Sequence, residues 1–133
     1  MSKKRSTVEK KLDAIFSKFI RLRDKLTCQR CGKPFGKFTT GIQCSHFWGR
    51  RHRATRWMEL NCVALCGGCH IHLTANPATH REWYKARIGD KAYDKLEYAH
   101  QKSPHYTLND LQLMLEFYQS KVNVIMKSLK WNL

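Results

Sequence analysis

Two C-x2-C pairs, Cys28/Cys31 and Cys66/Cys69, stand 34 residues apart in a chain that holds six cysteines. Thiolates at this spacing chelate from tight turns, and two such pairs supply the four ligands of a tetrahedral Zn2+. With every position taken by sulfur the ion is structural, and Gly32, Gly67 and Gly68 provide the turns. The plainer reading is two unrelated surface turns with buried thiols. A redox C-x-x-C is a weaker rival, because neither pair follows a strand in a β-α-β setting. Cys44 and Cys62 stand apart from the pairs. Near them lie His46, Asn61 and His70, in the order His, Asn, His. Directly after His46 the run from Gly49 to Trp57 places Arg50, Arg51, Arg53 and Arg56 where they could clamp phosphates. Trp48 or Trp57 would pack on a sugar or splayed base, and Trp57 is the one expected in the core. A solvated basic loop is the simpler alternative.

These residues need a frame. From Thr7 to Leu26, Val8, Leu12, Ile15, Phe16, Phe19 and Ile20 recur at three- and four-residue steps, which predicts a helix over 7–26 capped by Ser6 or Thr7. Its other face carries Lys10, Lys11, Lys18, Arg21 and Arg23. From Thr27 the helical period disappears, and glycines and Pro34 break the chain into turns and a β-hairpin. Its strands are expected at Ile42–Phe47 and around Trp57–Cys62. After Leu65 a knuckle and short helix stop before Pro77. Asn76 and Gly89 bracket the next helix, Asp90 caps another to about Lys102, and Thr107 with Asp110 opens the last. On that helix Leu108, Leu111, Leu115, Tyr118, Val122, Ile125 and Leu129 keep a 3-4 spacing. Met114, Phe117 and Val124 add a second strip. The stripe predicts a homodimer through 107–130, against the simpler alternative of a helix packed wholly on its own protein.

Composition bounds the partner. The 25 Lys+Arg against 10 Asp+Glu give a formal net charge of +15. Residues 1–60 hold 16 of the basic and 4 of the acidic residues, so the cationic surface belongs mainly to the first half. A polyanion, most simply nucleic acid, fits that asymmetry. The 42% hydrophobic content excludes a disordered tail, and no apolar run nears the ~18 residues of a membrane span. One domain over 1–133 is expected. Met1 to Arg5 opens no secretory signal, so a cytoplasmic address and reduced thiols follow.

The stretches CQRCG at 28–32, CSHFWGRR at 44–51 and NCVALCGGCH at 61–70 resemble the HNH (His-Me finger) nucleases. More narrowly, the run from CSHFWGRR through LTANP to REWYKARIGDKAYDKLE resembles the phage NinG/Rap recombination proteins, which are junction- and branch-directed endonucleases. The resemblance implies an α+β fold: a zinc-stapled ββα unit over 27–76, between the basic helix 7–26 and a helical part over 77–133. It implies His46 as general base, Asn61 as metal ligand or holder of the His46 loop, and His70 as ligand of a catalytic Mg2+ or Mn2+. Many such sites carry Asp or His just before the base, where this chain has Ser45. Its shell would draw on Ser45 Oγ or water, on Asn61, or on His72 or His80. Cys44 shares a strand face with His46 and is read as a core thiol.

The expected function is therefore a metal-dependent endonuclease on branched or recombination-intermediate DNA, acting in the host cytoplasm if the chain is phage-encoded. The alternative is a non-catalytic zinc-containing nucleic-acid-binding module, and an RNA-binding zinc protein also satisfies the charge.

Overall fold

A computed structural model describes residues 3–37 and 40–130; the remaining positions of the expected domain lie outside the described residues. The elements run α1 (Lys3–Arg23), β1 (Ile42–His46), α2 (Arg53–Arg56), a 3-10 turn (Glu59–Asn61), β2 (Cys62–Cys66), α3 (Gly67–Ala75), α4 (Pro77–Ile88), α5 (Asp90–His100) and α6 (Leu108–Ser128). The protein is thus α+β, with one small antiparallel sheet.

α1 starts before Ser6 and Thr7, so neither caps it; the Thr7 hydroxyl instead donates back to the Lys3 carbonyl (3.0 Å). The helix stops at Arg23, short of Leu26, because Lys25 and Leu26 turn into the left-handed region at φ 58° and 51°. Val8, Leu12, Phe16, Phe19 and Ile20 are buried, as their spacing predicts. Arg23 leaves the outer face. Its guanidinium donates to the carbonyls of Glu59 (3.0 Å) and Cys62 (2.6 Å), while Asp24 accepts from the Ala64 N–H (2.8 Å). The end of α1 is thereby fixed to β2.

β1 pairs antiparallel with β2 in the register Ile42↔Cys66, Cys44↔Ala64 and His46↔Cys62. The return strand is therefore Cys62–Cys66, and Trp57–Cys62, where it was expected, carries a 3-10 turn instead. The reason is burial: Cys62, Val63, Ala64 and Leu65 are all at most 3% exposed. A strand covered on both faces has no polar alternation to announce it. One core lies between α1 and α6 and includes Trp57 and Cys62; the other joins Val63 and Leu65 to Leu73, Tyr84 and Leu96 of α3, α4 and α5.

Asn76 precedes α4 but does not cap it with its side chain; its amide donates to the His72 carbonyl (2.8 Å) and closes α3. Gly89, at φ 88°, makes the corner from α4 to α5, with Asp90 as the first residue of α5 rather than its cap. α6 opens with the reciprocal pair expected: Asp110 N–H to Thr107 Oγ1 (3.0 Å) and Thr107 N–H to the Asp110 carboxylate (2.9 Å). Most of its main stripe is covered within the protein. Leu111, Leu115, Tyr118, Val122 and Met126 are buried in the core that α6 shares with α1, with Tyr118 edge-on to Phe16. Of the second strip expected, Phe117 and Val124 are exposed, together with Leu113 and Leu129, while Met114 packs partly buried against the core. Among the described residues no helix is long and apolar enough to cross a membrane.

Candidate functional site

The four paired cysteines meet. The Sγ atoms of Cys28, Cys31, Cys66 and Cys69 all lie within 4.8 Å of one another, with Cys31 and Cys66 at 3.8 Å. The first knuckle is closed by Cys28 N–H to Lys33 O and Gly32 N–H to Cys28 O, both 2.9 Å, with Gly32 at φ 78°. Gln29 N–H to Ala64 O (3.0 Å) ties that knuckle to β2. The second sits at the start of α3, where Cys66 Sγ accepts from Cys69 N–H (3.4 Å). A helix N-terminus favours thiolate there. Burial works against ionising Cys28, yet the backbone N–H groups of Cys31, Cys66 and Arg30 outweigh it and bring the thiol to about 6. Cys69 is pushed up to about 12, first by burial. The donor set, four sulfurs at chelating distance, fits structural Zn2+.

At the other end of the ribbon a cleft of about 480 Å3 brings together Asp13, Cys44, His46, Arg50, His70 and Thr74. His46 ends β1 and its Nε2 lies 2.9 Å from the Arg56 carbonyl, an atom that can only accept. Nε2 therefore carries the proton, and the Nδ1 lone pair is left to act as base. Burial, first, and the charge of Arg50 lower its pKa, so the ring is neutral at pH 7. His70, on the first turns of α3, stands 2.7 Å through Nδ1 from Gln43 Oε1, and burial lowers its pKa as well. Its Nε2 lone pair is thereby available to a cation.

Asn61 has no exposed surface. Its Oδ1 accepts from Trp48 N–H (2.9 Å), and its Nδ2 donates to the carbonyls of Trp48 (2.9 Å) and Thr55 (3.0 Å). Its own carbonyl accepts from Phe47 N–H (2.8 Å). Of the two roles expected for Asn61, this is the geometry of the loop holder: it clasps both ends of the 48–55 segment, next to the carbonyl on which His46 hangs. Ser45 is 2% exposed and pairs with Val63, on the ribbon face opposite His46. The two-residue alternation of a strand removes its hydroxyl from the cleft. His72 is exposed on α3, and His80 lies edge-on to Phe47, so neither lines the cleft.

The four arginines divide. Arg50 and Arg51 are exposed. Arg56 is held by both carboxylate oxygens of Asp13 (3.1 and 2.6 Å), and Arg53 by Glu9 (2.8 Å). Arg53 and Arg56 thus bind the loop to α1 instead of facing solvent as phosphate ligands. Trp57 is core, with its indole N–H on Asp13 (2.9 Å), whereas Trp48 stacks on His100 at 3.6 Å and donates to Glu97 (3.1 Å).

Asp13 is the residue the sequence reading missed. It holds Arg56, Trp57 and, at 3.8 Å, Arg50, and it lines the cleft with His46. The one signal in the sequence is its place between Leu12 and Ile15: an acid at the edge of an apolar stripe, on a helix whose other charges are nearly all basic. A larger cavity, about 620 Å3, opens between the end of α1 and α6, but its walls hold no histidine, cysteine or acid to take a proton.

The family described as Bacteriophage Lambda NinG protein matches residues 1–128. No curated protein and no solved structure matches the chain significantly. Because the family match takes in both C-x2-C pairs, the ribbon, His46, Asn61, His70 and the α1–α6 packing, the chain belongs to the bacteriophage lambda NinG family.

Proposed function

We propose that this chain is a metal-dependent DNA endonuclease of the HNH type that cuts branched or recombination-intermediate DNA, with His46 as its general base. The observation that carries the reading is the Arg56 carbonyl 2.9 Å from His46 Nε2, in a cleft shared with His70. That contact selects the tautomer a base needs, and burial keeps the ring neutral. In the reaction a water gives its proton to His46 Nδ1 while its oxygen bonds to phosphorus and the P–O bond to the leaving sugar oxygen breaks. His46 then returns the proton to solvent, and the departing sugar oxygen takes a proton from solvent to leave as the alcohol.

Two further residues position the base. Asn61 fixes the loop that presents the Arg56 carbonyl, and Asp13 fixes Arg56 itself. His70 would hold a Mg2+ or Mn2+, an ion that dehydrates reluctantly and would rely on water and substrate phosphate beside the imidazole. Such an ion supplies charge to the pentacovalent phosphorus and the leaving oxygen. Arg50, 64% exposed in its side chain at the cleft rim, and Arg51 beside it offer the strand its first cationic contacts. The order β1, β2, α3, with the base ending the first strand, Asn61 just before the second and His70 on the helix, supports the ββα-metal assignment.

Purified protein incubated with linear, flapped and four-way DNA, with and without Mg2+ or Mn2+, tests the proposal. Metal-dependent incision of the branched substrates, lost in His46→Ala, is expected. Tight binding without incision by wild type would instead select the non-catalytic zinc-containing binding module.

A further inference from the structure

Cys44 and Cys62, which belong to neither zinc pair, lie diagonally across the ladder: Cys44 is opposite Ala64, and His46 is opposite Cys62. Directly opposed residues, and residues two apart, share one face of an antiparallel ribbon. The two sulfurs and a ring nitrogen of His46 consequently lie within 4.8 Å of one another. Among the described residues only the four-cysteine cluster converges in the same way, and the two groups share no member. We propose that Cys44, Cys62 and His46 form a second metal site, selective for a thiophilic ion such as Zn2+, and that an ion bound there disables His46 as a base. The inhibitory part rests on the nuclease reading above; the binding part does not.

The donor set decides the ion. Two thiolates beside an imidazole suit Zn2+, and it is the soft thiolates that a hard ion such as Mg2+ does not accept. Three protein ligands leave a fourth tetrahedral position for water. That position faces the cleft, since Cys44 and His46 both line it while Cys62 is 1% exposed behind them. Binding forms two Zn–S bonds and releases two thiol protons to solvent; the imidazole contributes a lone pair and keeps its proton. If the ion takes Nδ1, it occupies the lone pair that would deprotonate water. If it takes Nε2, it displaces the Arg56 carbonyl that orients the ring. Both routes remove the base.

The cleft therefore sorts cations by softness. A hard ion on the His70 side assists hydrolysis, and a thiophilic ion on the ribbon side stops it.

The test uses full-length protein carrying its structural zinc, in a non-chelating phosphine reductant, titrated with Zn2+ against a chromophoric chelator and with Co2+ for its thiolate charge-transfer band. Wild type should take a second equivalent and develop that band. Cys44→Ser should keep the first zinc and its melting temperature but weaken the second site by at least the ~10–100-fold that loss of even an outer-shell partner costs. Cys62→Ser should behave alike; Cys44 is only half-buried, so Cys44→Ser serves if the Cys62 variant fails to fold. In cleavage under excess Mg2+, added Zn2+ should inhibit wild type. The half-inhibiting concentration should rise at least ~10-fold in Cys44→Ser, each protein being compared with its own rate before Zn2+ is added. Wild type that binds one zinc only, or a Cys44→Ser variant that retains the second equivalent unchanged, overturns the site. A second equivalent lost in Cys44→Ser, in a protein that never cuts DNA, upholds the metal site and removes the nuclease reading together with the inhibition.

Discussion

Replacing Asn61 by Asp separates its two expected roles. A ligand would tolerate the change, since a carboxylate binds a divalent ion better than an amide does. A loop holder would not. Nδ2 donates to two carbonyl oxygens, Trp48 O and Thr55 O, at 2.9 and 3.0 Å in a site with no exposed surface. In Asp an oxygen faces both carbonyls, so two hydrogen bonds become repulsive contacts and a charge is buried. Losing two bonds at about 1 kcal/mol each, and leaving the buried Trp48 carbonyl without its partner while Thr55 O keeps the Met58 N–H (3.2 Å), destabilises the protein by about 3 kcal/mol. For a chain of 133 residues that is a melting temperature lower by about 10 °C. Asn61→Ala, which keeps no partner for Trp48 N–H either, should fall by a similar amount without the buried charge. The assay is thermal denaturation of zinc-loaded protein, read beside cleavage of a four-way substrate at saturating Mg2+. Asn61→Asp melting with wild type and cutting as fast or faster would refute the reasoning and make Asn61 a ligand.

Five other outcomes are expected. His46→Ala should lose at least the ~100-fold typical of general-base catalysis while its affinity for DNA, measured by anisotropy without divalent metal, stays within about threefold. Burial lowers the pKa of His46 and His80 below the ordinary 6.5, so the folded protein binds fewer protons than the unfolded chain; stability should be full above that pH and decline as pH falls below it, seen in denaturant midpoints across the range. Metal analysis should return one tightly held zinc at the four paired cysteines, and Cys31→Ser should unfold the protein by circular dichroism, because such sites contribute folding free energy outright. Arg50→Ala with Arg51→Ala should flatten the log–log salt dependence of DNA binding by up to about 2, whereas Arg53→Ala should chiefly lower the melting temperature by stripping a partner from Glu9, itself 4% exposed. Likewise Leu115→Glu should unfold the chain, while any self-association through α6, followed by sedimentation, should respond to Phe117→Glu with Val124→Glu.

The two C-x2-C pairs were legible because chelation imposes spacing on the sequence itself, and the α6 start because Thr107 and Asp110 sit three apart. The buried faces of α1 and α6 were legible from their period, but not which surface each would meet: a 3-4 stripe records that it is covered and is silent about the cover. β2 was displaced because Cys62 to Leu65 is buried on both sides and shows no alternation. The division of the arginines was not legible either. Arg50, Arg51, Arg53 and Arg56 differ only by their distance from Glu9 and Asp13, more than thirty residues away, and that distance exists only after α1 has packed on the ribbon. The end of α1 escaped for a local reason, since Lys25 and Leu26 adopt positive φ without a glycine to mark the turn.

The register of the ribbon links the two metal chemistries. Cys66 must sit opposite Ile42 for its sulfur to reach Cys31 at 3.8 Å, and in the same ladder Cys62, four residues earlier, then falls opposite His46. A slip of one residue in β2 would turn every side chain of the strand to the other face, carrying Cys66 out of the sulfur cluster and Cys62 away from His46. The hydrophobic pattern of β2 resists such a slip weakly, because Cys62, Val63, Ala64 and Leu65 are buried on both faces and would be apolar in either setting. What does resist it is the pair Arg23 and Asp24, which hold the Cys62 carbonyl and the Ala64 N–H from the end of α1, and an ion chelated by the four sulfurs would add to that hold. The four-sulfur cluster at one end of a five-residue ladder thus fixes the place of the imidazole at the other, and the Arg56 carbonyl then fixes its proton.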